Sequence, residues 1–235
     1  MILQCHDELG STNDEASRLA HAGAPHGTVI CARRQTAGRG RQGRRWISPI
    51  GNLHASFILR PGVPAARTAE IGFVAAVAIA ATLDAMLPGQ LTLKWPNDVL
   101  LGGAKVAGIL TELVEAAVVV GIGLNVAHVP PDMPYAVTSL SAQGCRVTVE
   151  EVLAALMQHF EHGLAAWAQD GFDPVRAAWL QRGPAPGQAM RAGDLTGRFA
   201  GLAADGALLL DTGSGTRRVV AGEVAYIGGR SIQER

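Results

Sequence analysis

The chain has 235 residues, with 20 Lys and Arg set against 20 Asp and Glu. That balance excludes a broadly basic nucleic-acid binder and an acidic tail protein, so positive charge matters only where it clusters. An apolar content of 48% supplies a buried core, and the length suits one large domain or a large one plus a small one. Cys5, Cys31 and Cys145 are widely spaced and match no zinc or disulfide pattern, so they read as reduced, mostly buried thiols. The first residues lack a basic region followed by an apolar one, which argues against a secretory signal. The apolar run 71–87 carries Asp84 and reads as too short and Ala-rich to span a bilayer. A soluble cytoplasmic protein with no membrane partner is expected.

In chain order, residues 2–5 form a short apolar strand. Ser11-Thr12-Asn13-Asp14-Glu15 starts a helix reaching about residue 22, with Thr12 and Glu15 at capping-box spacing. These small polar side chains serve either as a simple cap or, with the free N–H groups of the helix start, as a polar site. Residues 28–34 are β-rich, and Gln35 sits where that strand gives way to Gly38-Arg39-Gly40-Arg41-Gln42-Gly43-Arg44-Arg45-Trp46. A strand over 53–59 follows.

Four arginines and three glycines in nine residues fit neither a core strand nor a helix interior. The glycines allow close backbone approach and the arginines offer forked, charged donors for carboxylates and phosphates. The loop is therefore either a solvated basic surface or a device for gathering anions, one that orders over its ligand. Gly38, Gly40 and Gly43 satisfy G-x-G-x-x-G, but Pro49 and Gly51 block the helix that a dinucleotide fingerprint requires. No acid lies between Glu15 and Glu70, where the ribose partner belongs.

A long Ala-rich helix is expected over 67–86. A strand at 91–93 leads into Lys94-Trp95-Pro96-Asn97-Asp98, where the proline marks a strand end or edge. A short strand at 99–101 turns at Gly102-Gly103 into Lys105-Val106-Ala107-Gly108-Ile109-Leu110-Thr111-Glu112. Lys105 points either to solvent or into a pocket. Residues 116–126 are a continuous β run in which Gly121, Gly123 and Asn125 share one face at period two. Two glycines on one face leave a groove floor for a ligand, or else room for close packing under a helix. Thr148 to Glu151 is a second capping box, opening a helix to about residue 167, and another helix spans 174–181. Residues 182–187 read as a linker, followed by five short strands near 189–190, 195–202, 207–210, 216–220 and 224–227.

Four elements in this order, namely Ser11-Thr12-Asn13, Gln35 with the 38–46 loop, Lys94–Asp98 with the Lys105 run, and Gly121-Ile-Gly-Leu-Asn125, closely resemble the biotin protein ligases, or biotin–[acetyl-CoA-carboxylase] ligases. The resemblance is strong over residues 6–126. It implies an α+β fold: a class II aminoacyl-tRNA-synthetase-like catalytic domain over 1–184, with a mixed sheet and helices, then a small SH3-like barrel over 185–235. It also implies activation of biotin by Mg²⁺-ATP to biotinyl-5′-AMP, then transfer to a lysine of the biotin carboxyl carrier protein of acetyl-CoA carboxylase or another biotin-acceptor domain.

Carried onto this chain, the resemblance makes Arg39, Arg41 and Lys105 catalytic, holding the biotin carboxylate and the α-phosphate. Ser11, Thr12, Asn13 and Gln35 line the biotin site, with Gly38, Gly40, Gly108, Gly121 and Gly123 around it. Arg44, Trp46, Asn97 and Asn125 join Arg41 and Lys105 at the nucleotide, and Asp98 is the metal or lysine-orienting carboxylate. Many relatives carry an N-terminal DNA-binding domain; here the motifs begin within a dozen residues of Met1, so no DNA partner is expected. The family commonly forms edge-to-edge homodimers. Some relatives place an arginine just after the Gly222-Glu223-Val224 turn, where this chain has Ala225-Tyr226-Ile227 and only later Arg230. The competing readings are a lipoate or octanoate ligase of the same superfamily, a non-catalytic biotin-binding regulator and a basic-loop nucleic-acid binder. An aromatic content of 5% disfavours the last, which needs stacking platforms.

Overall fold

The computed structural model describes residues 1–227; Arg230 lies outside them. A seven-stranded sheet organises the fold, in the order β1-β2-β3-β7-β6-β5-β4. Its strands are β1 (Ile2–Leu9), β2 (Thr28–Gln35), β3 (Leu53–Leu59), β4 (Leu91–Lys94), β5 (Asp98–Leu101), β6 (Ala104–Val114) and β7 (Ala117–Leu124). Only β1 and β2 pair in parallel, joined through α1 (Thr12–His21); the remaining neighbours are antiparallel.

The period-two geometry of a strand sorts the side chains between two covered faces. Leu53, Ala55, Phe57 and Leu59 of β3, with Val118, Val120, Ile122 and Leu124 of β7, join the core under α2 (Glu70–Asp84) and α3 (Val149–Asp170). Phe57 meets Phe160 of α3 edge to face at 5.1 Å between centroids. The alternate residues face α1, where Ala16 and Ala20 pack on Ile30, Ile58, Ala117 and Val119. Farther along, that second face changes character. It carries His54 and Ser56 on β3 opposite Gly123 and Gly121 on β7, so α1 covers only one end and a hollow remains beside it.

The sequence expectation places the first helix cap on Thr12, whereas Ser11 is the N-cap, its side chain accepting from the Asp14 N–H. The Thr12 hydroxyl is already engaged with Gln35 and Ser56, and Glu15 pairs with Arg18. β1 runs to Leu9 rather than stopping at Cys5. The long helix starts at Glu70, after a 3₁₀ turn at Ala65–Arg67. By length and composition alone the stretch Ala65–Asp84 suffices to cross a membrane, contrary to the reading of it as too short. Most of its apolar surface is taken up in the core, with Ile71, Ala75, Ile79, Ala80 and Leu83 fully buried. Cys5 is exposed, not buried, and lies beside buried Cys31 in the β1–β2 register. Burial pushes the Cys31 thiol up to about 12. The Thr148 capping box forms as expected.

After α4 (Asp173–Arg182), strands β8 (Ala189–Ala192), β9 (Leu195–Leu202), β10 (Leu208–Asp211), β11 (Thr216–Val219) and β12 (Val224–Tyr226) form an antiparallel sheet in the order β11-β10-β9-β8-β12. Its apolar residues Met190, Phe199, Leu208 and Leu210 belong to the same core as α2 and α4. The turn at Gly206 sits against Phe73 and Phe172, where a Cβ would approach Phe73 to 2.7 Å. Its carbonyl accepts from Trp95 Nε1 at 3.1 Å. This docking sets the later Gly222-Glu223 turn beside the arginine loop.

Candidate active site

The hollow beside α1 is a cavity of about 450 Å³. At its inner end, Gln35 Oε1 accepts from Thr12 N at 2.7 Å and Thr12 Oγ1 at 3.1 Å, while Gln35 Nε2 donates to Ser48 Oγ at 2.8 Å. Asn13 donates to Glu112 Oε2 at 2.7 Å, and its Oδ1 accepts from Ser56 Oγ at 2.6 Å. Asn13 rests directly on Gly121, where a Cβ would come within 2.8 Å of Asn13 Cγ. The first turn of α1 therefore supplies a rigid wall of amide and hydroxyl groups, its rotamers held from β2, β3 and β6. Such a wall suits a neutral head group carrying both donors and acceptors.

The arginine loop closes over the cavity as a short hairpin. Trp46 N donates to Gly38 O at 2.9 Å and Gly40 N to Arg44 O at 2.7 Å, with Gln42 and Gly43 at positive φ in the turn. Trp46 is thereby laid on a second glycine floor: a Cβ on Gly108 would come within 3.2 Å of Trp46 Cζ3, and one on Gly123 within 2.5 Å of Trp46 Nε1. Gly38 does not reach the cavity. It packs against the returning loop, where a Cβ would meet Trp46 O at 2.6 Å and Ser48 Oγ at 2.7 Å.

The cations differ in what neutralises them. Arg39 turns its guanidinium to Asp14 at 2.5 Å and Glu112 at 3.1 Å, and the hydrogen bond it donates to Asp14 leads in raising its pKa. Arg44 pairs with Glu223 of the small sheet. Lys105 Nζ lies 2.6 Å from Asp98 and 5.6 Å from the centre of the Trp46 ring. Its backbone is pinned by Ala136 O and Thr138 N at 2.9 Å each, which stretches the 133–138 segment along the cavity mouth. Arg41 is half-buried and, among the described residues, hydrogen-bonds only neutral acceptors, Asn97 Oδ1 at 3.4 Å and Gly222 O at 3.3 Å. Burial lowers its pKa from the ordinary 12.5, outweighing the charges of Glu223 and Asp98, which act to raise it. Lys94, also lowered by burial, lines an adjoining recess with Asp98, Lys105 and Glu223.

Most residues expected from the sequence thus come together: Ser11, Thr12, Asn13, Gln35, Arg39, Gly40, Arg41, Arg44, Trp46, Asn97, Lys105, Gly108, Gly121 and Gly123 all line the cavity. Asp98 stands behind Lys105 in the recess. Asn125 does not belong with them. β7 ends at Leu124, and Asn125 is 1% exposed, its amide donating to Thr138 O at 3.0 Å. Sequence reasoning missed Ser56, Glu112, Asp14 and Glu223. Ser56 was detectable in principle, because it falls at period two on a strand whose other face is apolar.

Comparison with known proteins agrees with this architecture. Residues 8–126 match the biotin/lipoate A/B protein ligase family, and the chain belongs to that family. Within it, residues 189–225 match the biotin protein ligase C terminal domain. The chain is 41% identical to the biotin–[acetyl-CoA-carboxylase] ligase of Paracoccus denitrificans, over 93% of this chain and 98% of that one. It is 37% identical to the bifunctional ligase/repressor BirA of Bacillus subtilis, over 93% of this chain and 72% of the relative. Among solved structures, biotin protein ligase from Aquifex aeolicus in complex with biotin and ATP superimposes with a TM-score of 0.86 at 29% identity, covering 96% of this chain and 98% of that one.

Proposed function

We propose that this chain is an ATP-dependent biotin–protein ligase, biotin–[acetyl-CoA-carboxylase] ligase by activity, with the cavity beside α1 as its active site. The observation that carries the reading is half-buried Arg41, a cation whose hydrogen-bond partners among the described residues are all neutral, set between a fixed amide wall and a recess rich in charged groups. Thr12, Asn13 and Gln35 hold the ureido head of biotin, and Gly121 and Gly123 let Asn13 and Trp46 come down onto the sheet, which frames the space for the bicycle and tail. The carboxylate then reaches Arg41 and Lys105. A carboxylate and a triphosphate repel each other, so fixed positive charge that loses no energy in reorganising is the largest service a protein can offer this step.

In the first half-reaction a carboxylate oxygen bonds to the α-phosphorus and the bond to the bridging oxygen breaks, releasing pyrophosphate. Arg41 and Lys105 hold the α-phosphate, while Arg44 and Asn97 face the rest of the nucleotide. In the second, a lysine amine of a biotin-acceptor domain, that of the carrier subunit of a carboxylase, attacks the mixed-anhydride carbonyl. AMP leaves and the amine loses its proton. Trp46 and the loop shield the anhydride from water in between. Asp98 fits the role of the single carboxylate that magnesium needs when nucleotide phosphates complete its shell, and it orients Lys105 at 2.6 Å. Bound there, the ion would offset phosphate charge. We assign residues 1–184 to a catalytic domain and 185–235 to a C-terminal domain, whose described part is the small sheet that brings Gly222 and Glu223 to the loop. β1, an edge strand of eight residues, is the edge we assign to a homodimer.

A lipoate or octanoate ligase would need no hydrogen-bonded wall at the inner end of the pocket, and the wall is what favours biotin. Pyrophosphate exchange into ATP, run separately with biotin, lipoate and octanoate, tests the reading. Exchange with biotin alone, lost in Lys105→Ala and Arg41→Ala, is expected. Exchange with the other acids only would move the chain to the sister activity.

A further inference from the structure

The cavity floor is built from two cross-strand rows. In one, Ser56, Gly121 and Leu110 lie side by side on β3, β7 and β6. Asn13 sits on the central glycine, with Ser56 hydrogen-bonded to it from the β3 end. In the other, His54, Gly123 and Gly108 occupy the same three strands. Trp46 sits on the glycines of that row, its six-membered ring over Gly108 and its Nε1 over Gly123. The indole N–H edge is therefore turned toward the β3 end of the row, where His54 stands one strand spacing away.

Two side-chain atoms along this row are buried and without a partner among the described residues: Trp46 Nε1, a donor, and His54 Nδ1. The ring of His54 is 1% exposed, and its Nε2 lies 3.3 Å from Pro49 O. A carbonyl only accepts, so Nε2 carries the hydrogen and Nδ1 is left as a bare acceptor. Burial holds the imidazole neutral, its pKa lowered to about 4. An orphaned donor over Gly123 and an orphaned acceptor on the neighbouring β3 position are chemically complementary, and each is costly to leave unmade.

We propose that His54 is a positioning residue for the ligase reaction, its Nδ1 accepting a hydrogen bond from Trp46 Nε1 when the arginine loop settles over bound biotin and nucleotide. The proposal rests on the ligase reading only for the identity of those ligands. His54 does for Trp46 what Ser56 does for Asn13. It fixes a side chain that glycine leaves room for but does not hold.

The test is proton–nitrogen NMR of the full chain labelled at tryptophan, with the Trp46 indole signal assigned by Trp46→Phe, with and without biotin plus ATP. The expected result is a downfield, exchange-protected Trp46 N–H in the loaded protein that moves upfield and exchanges faster in His54→Leu. His54→Asn, whose Oδ1 replaces Nδ1, restores it. Adenylation measured by pyrophosphate exchange should slow roughly threefold to tenfold in His54→Leu and recover in His54→Asn. A Trp46 signal identical in the wild type and a folded His54→Leu overturns the proposal, even if biotinylation is normal. A His54-dependent signal in a protein that exchanges with none of the three acids keeps it and rejects the ligase reading instead.

Discussion

Replacing Gly121 with alanine probes the inner wall without touching a polar group. The β7 backbone at Gly121 is ordinary strand, not one of the positive-φ positions, so alanine meets no backbone strain there. Its Cβ, however, would stand 2.8 Å from Asn13 Cγ and 3.1 Å from Asn13 Nδ2. Asn13 has nowhere to retreat without leaving Glu112 at 2.7 Å and Ser56 at 2.6 Å. A hydrogen bond to a charged acceptor contributes roughly 1.5–3 kcal/mol and a neutral one about 1 kcal/mol. Displacing both forfeits roughly 2–4 kcal/mol, divided between folding and ligand binding. At 1.4 kcal/mol per decade, biotin affinity measured by isothermal titration should weaken by about tenfold or more. Asn13→Ala removes the clashing atoms. In that background the same Gly121→Ala change should cost less than about threefold, the coupling expected of residues in contact. Wild-type affinity in the single variant, or an undiminished penalty in the double, would falsify the assignment of this floor.

Glu112→Gln keeps the acceptor for Asn13 but removes one of the two charges holding Arg39. A roughly threefold to tenfold weaker biotin titration is expected, and an unchanged one would disconnect Arg39 from the site. Thr148→Ala breaks the α3 capping box far from the cavity and should cost about 1 kcal/mol of stability. Its melting temperature should therefore drop by a few degrees while pyrophosphate exchange stays intact. Buried His54 has its pKa lowered from 6.5 to about 4. The unfolded chain thus takes up a proton that the folded one refuses, and this contribution, full above pH 6.5, is lost as pH falls toward 4. Integrated over that window it amounts to about 3 kcal/mol. Urea titrations at pH 7 and pH 4.5 should show less acid loss in His54→Asn than in the wild type; equal losses contradict the burial argument.

Much of the site was readable from the chain itself because the signals are local. The arginine–glycine density of residues 38–46, the period-two glycines of β7 and the small polar start of α1 each depend on neighbours a few positions away. The same is true of the failure of the dinucleotide fingerprint at Pro49 and Gly51. What the sequence could not decide depends on contacts between distant segments. Thr12 is not the helix cap because Gln35 and Ser56, 23 and 44 residues further on, take its hydroxyl. Asn125 continues the alternation of Gly121 and Gly123 on paper, but the strand stops one residue short and turns it into a buried strut. Above all, the four arginines of the loop are alike in the sequence. Tertiary packing neutralises Arg39 with Asp14 and Glu112, and Arg44 with Glu223, while half-buried Arg41 hydrogen-bonds only neutral oxygens among the described residues. A string of residues records which charges exist; only the fold records which of them have already been answered.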